Sequence, residues 1–316
     1  MNPVEPFLQQ QGALILDGGL ATELEARGFN LDDPLWSARL LLEQPDAIRQ
    51  VHLDYLYAGA DCVISASYQA TISGFMARGV SRAEAIRLIR LAVELALAAR
   101  DDFWGVAANR NGRLRPLVAA SVGPYGAYLA DGSEYTGNYG LETAELIAWH
   151  RERWHILANS GADLLACETI PSYREAEALR YLLAETPDTW AWFSFSCRDG
   201  HHISDGTPIT DCVRLLADAP RVAAIGVNCT PPRYIPALIK AIHQVTDKPI
   251  VVYPNSGEIY DPERHCWLGE SVPAEFGTYS REWRKLGAAL IGGCCRTGPA
   301  HIRQIADRMR RGGQRE

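Results

Sequence analysis

No uninterrupted apolar run in the 316-residue chain approaches the roughly 18–20 residues that a membrane-spanning helix needs. The opening residues, MNPVEPFLQQQ, carry neither a basic n-region nor an apolar h-region, so no signal peptide is expected. A basic surplus is missing as well: 31 Lys and Arg against 38 Asp and Glu leave a net charge of -7. That balance speaks against a general binder of nucleic acid or of anionic membranes, which needs an excess of positive charge. The sequence has no G-x-G-x-x-G, no G-x-x-x-x-G-K-[ST] and no H-E-x-x-H, so the dinucleotide, P-loop and zincin readings fall away. Internal repeats, low-complexity stretches and interdomain linkers are also absent, and residues 1–316 are expected to form one domain.

What is present is an ordinary globular composition, 47% apolar and 22% charged. A chain of this length can bury its core without disulfide or metal staples. It nevertheless has 8 cysteines. With no secretion signal, these are expected to be reduced thiols of a soluble cytoplasmic protein.

Short, β-rich apolar runs alternate with longer helical patterns. Strands are expected at 13–16, 62–65, 117–121, 164–167, 190–196, 223–227, 250–253 and 289–291. Most are continuously apolar, as suits parallel strands buried on both faces. Between them, Ile48, Val51, Tyr55 and Ala58 share one helical stripe, and so do Ile86, Ile89, Val93 and Leu97. Two further stripes are Ile235, Leu238, Ile239 and Ile242, then Ile302, Ile305, Ala306 and Met309. Gly28 and Gly59 mark helix ends, and Pro231–Pro232 a helix start. Eight such units predict an α/β fold, a single (β/α)8 barrel of the TIM type. Long polar loops at 122–140, 198–208 and 254–270 all follow strand C-termini, the face where barrel enzymes keep their sites. The arginine-rich end, DRMRRGGQRE, reads as a solvated helix terminus.

Three cysteines stand at strand ends. Cys229 closes the sixth strand, and Cys294 and Cys295 close the eighth. In a parallel barrel these tips face one mouth. Adjacent residues in an extended strand point to opposite faces, so both Cys294 and Cys295 can reach one centre only where the chain turns. Gly292 and Gly293 before them, and Gly298-Pro299 after, are expected to supply that turn. Three thiolates suit zinc and leave its fourth position open. The spacing is not a zinc-ribbon pattern, and buried cysteine also packs as a small hydrophobe, so on the residues alone both readings stand. Packing is the reading for Cys62, Cys167, Cys197 and Cys212, and Cys266 is left open. The pairs His201-His202 and His150/His155 read as surface or core residues rather than ligands.

The segments LDGGLATEL at 16–24, CETIP at 167–171, GVNCTPP at 226–232, YPNSGE at 253–258 and GGCC at 292–295 occur in this order along nearly the whole chain. Together they resemble the homocysteine S-methyltransferase family, and most closely its short bacterial and plant branch that uses S-methylmethionine. The resemblance implies a (β/α)8 barrel in which Cys229, Cys294 and Cys295 bind Zn2+ and the zinc receives the sulfur of L-homocysteine. It also assigns Asp17 and Glu168 to homocysteine binding. Both end strands, the first and the fourth, and paired carboxylates suit an ammonium group. Gly18 and Gly19 lead into a short helix whose free N–H groups suit the substrate carboxylate. Asn228, beside a ligand, reads as its support.

The implied activity is zinc-dependent transfer of a methyl group from a sulfonium donor, S-methylmethionine or also S-adenosylmethionine, to the homocysteine thiol, which makes methionine. Small molecules are the expected partners, with no nucleic acid and no membrane. Tyr68, Tyr125, Tyr253 and Glu258 are candidates for the cationic donor. The competing reading is a non-catalytic thiol-rich barrel that stores metal or senses redox state.

Overall fold

The computed structural model describes residues 1–31, 33, 35–261, 266–268 and 271–312. Eight parallel strands build one sheet: β1 (Leu14–Ile15), β2 (Cys62–Ile64), β3 (Leu117–Val122), β4 (Leu164–Ile170), β5 (Ala191–Phe195), β6 (Val222–Asn228), β7 (Ile250–Tyr253) and β8 (Ala288–Ile291). Each pairs in parallel with its neighbour in sequence from β2 to β8, and β8 pairs with β1. A parallel bridge between Leu16 and Cys62 brings β1 back to β2 and closes the ring. All eight expected strands are present, and the fold is the (β/α)8 barrel.

The pleat divides each strand between two cores. Leu14, Ala119, Ala166, Val251 and Leu290 fill the barrel interior. Their neighbours Ile15, Val118, Leu165, Val252 and Ile291 face the layer between sheet and helices. The helix Glu5–Gln11 plugs the N-terminal end, with Val4 and Phe7 packed into the interior cluster. The Asn2 amide also donates to the Ala223 carbonyl there (3.3 Å).

A helix follows every strand, the main ones being Pro45–Ala58, Arg82–Gly105, Thr143–Ala158, Tyr173–Glu185, Ile209–Ala217, Ile235–His243, Pro273–Lys285 and Pro299–Gly312. The stripes on Pro45–Ala58 and Ile235–His243 are buried throughout. On Arg82–Gly105 the buried face is centred on Leu88, Ile89, Ala92, Val93 and Ala96, with Ile86 and Leu97 at its flanks. Gly59 caps its helix at φ +116, and Gly28 follows its own at φ +88.

Two expectations need correction. The long loops are not structureless: 122–140 holds the helix Tyr125–Leu129 and a turn at Ser133–Tyr135, and 254–270 holds a short ribbon of Ile259–Asp261 and Cys266–Leu268. The open question of Cys266 falls on a side chain outside the described residues. Nor is the arginine-rich end wholly solvated, because Arg310 reaches back to buried Asp61 (3.0 Å) and to the Gly59 carbonyl (2.9 Å). Residues 313–316 lie outside the described residues.

Candidate active site and metal centre

The tips of β6 and β8 bring the three strand-end thiols together. Cys229 Sγ lies 2.7 Å from Cys294 Sγ and 3.7 Å from Cys295 Sγ. All three ligand atoms fall within 4.8 Å of one another, and among the described residues no other cluster of His, Cys, Asp and Glu is arranged this way. The backbone fixes each. The Cys229 N–H donates to the Tyr253 carbonyl (3.3 Å), the Cys294 N–H to Pro254 (2.8 Å), and the Cys295 N–H to Asn255 Oδ1 (3.2 Å). Cys62, Cys167, Cys197 and Cys212 are buried singly elsewhere, as packing predicts.

The glycines before the pair act through space rather than through φ. A Cβ on Gly292 would stand 2.5 Å from Leu16 Cβ, and one on Gly293 2.3 Å from Thr297 Oγ1. The chain turns instead directly after Cys294, where the Thr297 N–H donates to the Cys294 carbonyl (3.2 Å) and puts Cys295 and left-handed Arg296 (φ +63) at the centre of a tight turn.

The donor set fits a thiophilic cation. The thiols cannot all ionise beside one another without a positive charge between them. Cys295 is held well below the ordinary thiol range because Cys229 and Cys294 both donate to its sulfur, with the Arg296 charge adding. The same sharing pushes Cys294 up. Asn228 supports the cluster as expected: its buried amide points Nδ2 toward Cys294 Sγ (3.9 Å). It also grips Thr169, accepting from its N–H (2.7 Å) and donating to its Oγ1 (2.8 Å).

Asp17 and Glu168 lie buried at the same mouth. Asp17 Oδ2 accepts from the Ile64 N–H (2.8 Å), while Oδ1 is shut from solvent with no partner among the described residues. Burial raises the Asp17 carboxyl well above the usual range; the Ile64 bond opposes this and the Glu168 charge adds to it. Glu168 is raised to about 7 by burial, against the Ser121 and Tyr253 hydroxyls and with the Cys295 charge. Ser121 Oγ donates to Glu168 Oε1. Tyr253 belongs to the floor beneath, bonded to Ser194 (2.5 Å) and to the Trp192 indole (3.1 Å). Two buried acids, one with an unpaired oxygen, invite an ammonium group.

The glycine pair divides. Gly19 caps the helix Leu20–Ala26, but its N–H is already given to the Thr297 carbonyl (2.9 Å), so it is not free for a substrate. Gly18 is pressed against Thr297, where a Cβ would stand 2.7 Å from the carbonyl oxygen.

The donor candidates also separate. Glu258 is already paired with Arg296 (3.2 Å). The ring of Tyr125 packs on Tyr128, Tyr139 and Trp149. Tyr68 stays at the mouth, its ring edge-on to Trp36 (6.3 Å) and its phenol close to the charges of Cys229, Glu134 and Glu168. Glu134 and Tyr135 were not singled out in the sequence, because one acid in a polar loop carries no periodic signal.

A parallel barrel with three clustered thiols and two buried carboxylates at its C-terminal mouth is the arrangement of a barrel enzyme whose donor set suits a thiophilic metal ion. The homocysteine S-methyltransferase family model matches residues 14–309. The chain is 56% identical over 306 residues to homocysteine S-methyltransferase YbgG of Bacillus subtilis, covering 97% of each. Solved structures of the homocysteine methyltransferase MmuM of Escherichia coli are also similar. The oxidised form is 50% identical with TM-score 0.89 over 98% of this chain and 100% of that one. The metallated form is 50% identical with TM-score 0.87 over 97% and 100%. The chain belongs to the homocysteine S-methyltransferase family.

Proposed function

We propose that this protein transfers a methyl group from a sulfonium donor, S-methylmethionine first among them, to the thiol of L-homocysteine. The observation that carries the reading is the three-sulfur cluster of Cys229, Cys294 and Cys295 set beside the buried carboxylates of Asp17 and Glu168. The names of the related proteins point the same way.

Zinc is the proposed metal, held by those three thiolates; when bound, it supplies a thiophilic charge that keeps a substrate thiol deprotonated near neutral pH. Three protein ligands, with no fourth His, Cys, Asp or Glu in the cluster among the described residues, suit an open, substrate-accepting centre rather than a storage site. Asp17 and Glu168 receive the homocysteine ammonium. Gly18, where the chain enters the helix, borders its carboxylate. Asn228 keeps the tips of β4 and β6 in register, so that the acids and sulfurs hold fixed positions. The reaction needs alignment above all, because a sulfonium is already activated and leaves as a neutral thioether. The thiols described are all free, as a reducing compartment would keep them, and the cytoplasm is the proposed setting. Residues 1–316 are taken as one catalytic domain.

The test is a donor panel with purified, zinc-loaded protein: S-methylmethionine, S-adenosylmethionine and betaine, each with homocysteine, following methionine formed. Methionine from a sulfonium and none from betaine is the expected result. No methionine from any sulfonium would reject the function.

A further inference from the structure

Glu134 is held on a clamped piece of chain. Its turn, Ser133–Tyr135, follows the short helix Tyr125–Leu129. The two pack so closely that a Cβ on Gly126 would stand 2.4 Å from the Glu134 nitrogen. The Glu134 carbonyl accepts from Ser196 Oγ (3.2 Å), one residue beyond β5. Behind the helix, buried Glu175 accepts from the Tyr125 N–H (2.6 Å), from Tyr139 Oη (3.1 Å) and from His150 Nε2 (2.7 Å). The loop after β3 is thus tied at three points to the barrel.

On this support the Glu134 side chain turns inward. Its Oε2 is shut from solvent and has no hydrogen-bond partner among the described residues. The groups that feel it are Tyr68, Tyr135 and Tyr139, and it feels the charge of Cys295 in turn. Burial, with Asp131 and Cys295 beside it, raises its carboxyl. No Lys or Arg pairs with Glu134 among the described ion pairs. Glu134 is half-buried, and a carboxylate oxygen shut from solvent without a partner is costly unless a ligand brings a positive charge to it. Asp17 and Glu168 already suffice for one ammonium, so Glu134 answers to a different charge.

Building on the proposed function, we infer that Glu134 is the specificity residue for the positive sulfur of the methyl donor, and that it loses its hold when that charge disappears. In the reaction the homocysteine sulfur places an electron pair on the methyl carbon. The bond from that carbon to the donor sulfur breaks, and its pair stays on the donor sulfur, which becomes a neutral thioether. The atom facing Glu134 is then uncharged. Attraction to donor and indifference to product come from the same carboxylate. Tyr135 and Tyr68 add aromatic faces near it, which favour a cation over a neutral thioether as well.

The test uses full-length, zinc-loaded wild type, Glu134→Gln and Glu134→Asp. Calorimetry measures binding of S-methylmethionine and of methionine, which differ in the charge on sulfur, and steady-state assays give KM for donor and for homocysteine. In Glu134→Gln, S-methylmethionine affinity should fall tenfold or more and methionine affinity less than threefold. Homocysteine KM and metal content should stay at wild-type values, the thermal midpoint of the ligand-free protein should be no lower than wild type because the amide carries no charge to desolvate, and Glu134→Asp should recover part of the donor affinity. Equal losses for S-methylmethionine and methionine would overturn the inference, because the carboxylate would then hold the shared amino-acid portion. So would a rise in homocysteine KM with donor binding unchanged. If wild type methylates nothing, the proposed function fails, while the calorimetric contrast still decides whether Glu134 reads a positive sulfur.

Discussion

Glu168→Gln should weaken substrate binding and stabilise the metal-free protein at the same time. Glu168 is 8% exposed, and burial lifts its carboxyl from the ordinary 4.5 to about 7. The folded protein therefore binds this proton more readily than the unfolded chain does. The stability linked to it is fully present below pH 4.5 and is lost as pH rises through about 7. At about 1.4 kcal/mol per pH unit, the ionised carboxylate at pH 8 costs about 3 kcal/mol that a neutral amide does not. Glutamine keeps an oxygen to accept from Ser121 Oγ, so that bond survives. The variant should gain about 3 kcal/mol at pH 8, or roughly 5 °C in thermal midpoint, and under about 1 kcal/mol at pH 5.

Binding should move the other way. A charge-assisted bond to the homocysteine ammonium is worth about 1.5–3 kcal/mol, so affinity at pH 8 should drop roughly 10- to 150-fold. The gap between wild type and variant should narrow by up to about tenfold for each pH unit below about 7, as the wild-type carboxylate takes up its proton. Denaturation at pH 5 and pH 8, beside calorimetry with homocysteine over the same range, measures both. A variant that binds homocysteine like wild type at pH 8 would refute the assignment of Glu168 to the ammonium. A variant less stable than wild type at pH 8 would refute the electrostatic reasoning.

Each of Cys229→Ser, Cys294→Ser and Cys295→Ser should lose most bound zinc and nearly all activity while retaining its circular dichroism; Cys62→Ser, buried at the start of β2, should keep both, and metal analysis beside the assay checks this. Asn228→Ala removes two buried bonds to Thr169, at 2.7 and 2.8 Å, and leaves that N–H unpaired. It should cost about 2–4 kcal/mol of stability by urea titration, a loss that Thr169→Gly, which relieves the left-handed φ, should not match. The metal-free protein in air should form a disulfide from Cys229, chiefly to Cys294 at 2.7 Å rather than Cys295 at 3.7 Å, as oxygen takes two electrons from the two thiols. Activity should return with reductant and zinc, and peptide mapping that finds only a Cys294–Cys295 link would contradict it.

The fold was legible because the apolar runs are continuous and alternate with helical stripes, and every expected strand lies where its run lies. The thiol cluster was legible because its members stand at strand ends, and strand ends converge in a barrel. What composition and spacing cannot carry is the set of contacts between tips. Ser121 reaches Glu168 across β3 and β4, Asn228 reaches Thr169 across β6 and β4, and Thr297 takes the Gly19 N–H from β1. These pairs lie 47, 59 and 278 residues apart, and nothing local marks them. Glu134 was invisible for the same reason: its inward turn depends on Ser196, from another strand tip.

Backbone conformation explains why alternation alone misplaces the site. Among the described residues five non-glycine residues have positive φ, namely Trp36, Ala130, Thr169, Cys229 and Arg296, and three of them, Thr169, Cys229 and Arg296, lie at strand C-termini beside the thiols and Glu168. Such a conformation costs of order 1–2 kcal/mol per residue, so its recurrence at three tips around one site needs a cause. On β6, Ile225 and Val227 face the outer layer, and the pleat would send Cys229 outward with them while Asn228 points in. At φ +47 the chain turns at Cys229 and carries the sulfur back toward the mouth, next to Asn228 rather than opposite it. On β8 the interior face passes from Leu290 through Gly292 to Cys294, and Cys295 would point away but for the tight turn from Cys294 to Thr297 that holds it. On β4 the sheet register slips between Cys167 and Ile170, where Thr169 is held at φ +56 by the Asn228 amide. On β6 and β8 the distortion thus breaks alternation to add one more thiol to the same mouth, while on β4 Glu168 already points inward and the turn at Thr169 serves the buried amide of Asn228, which ties β4 to β6.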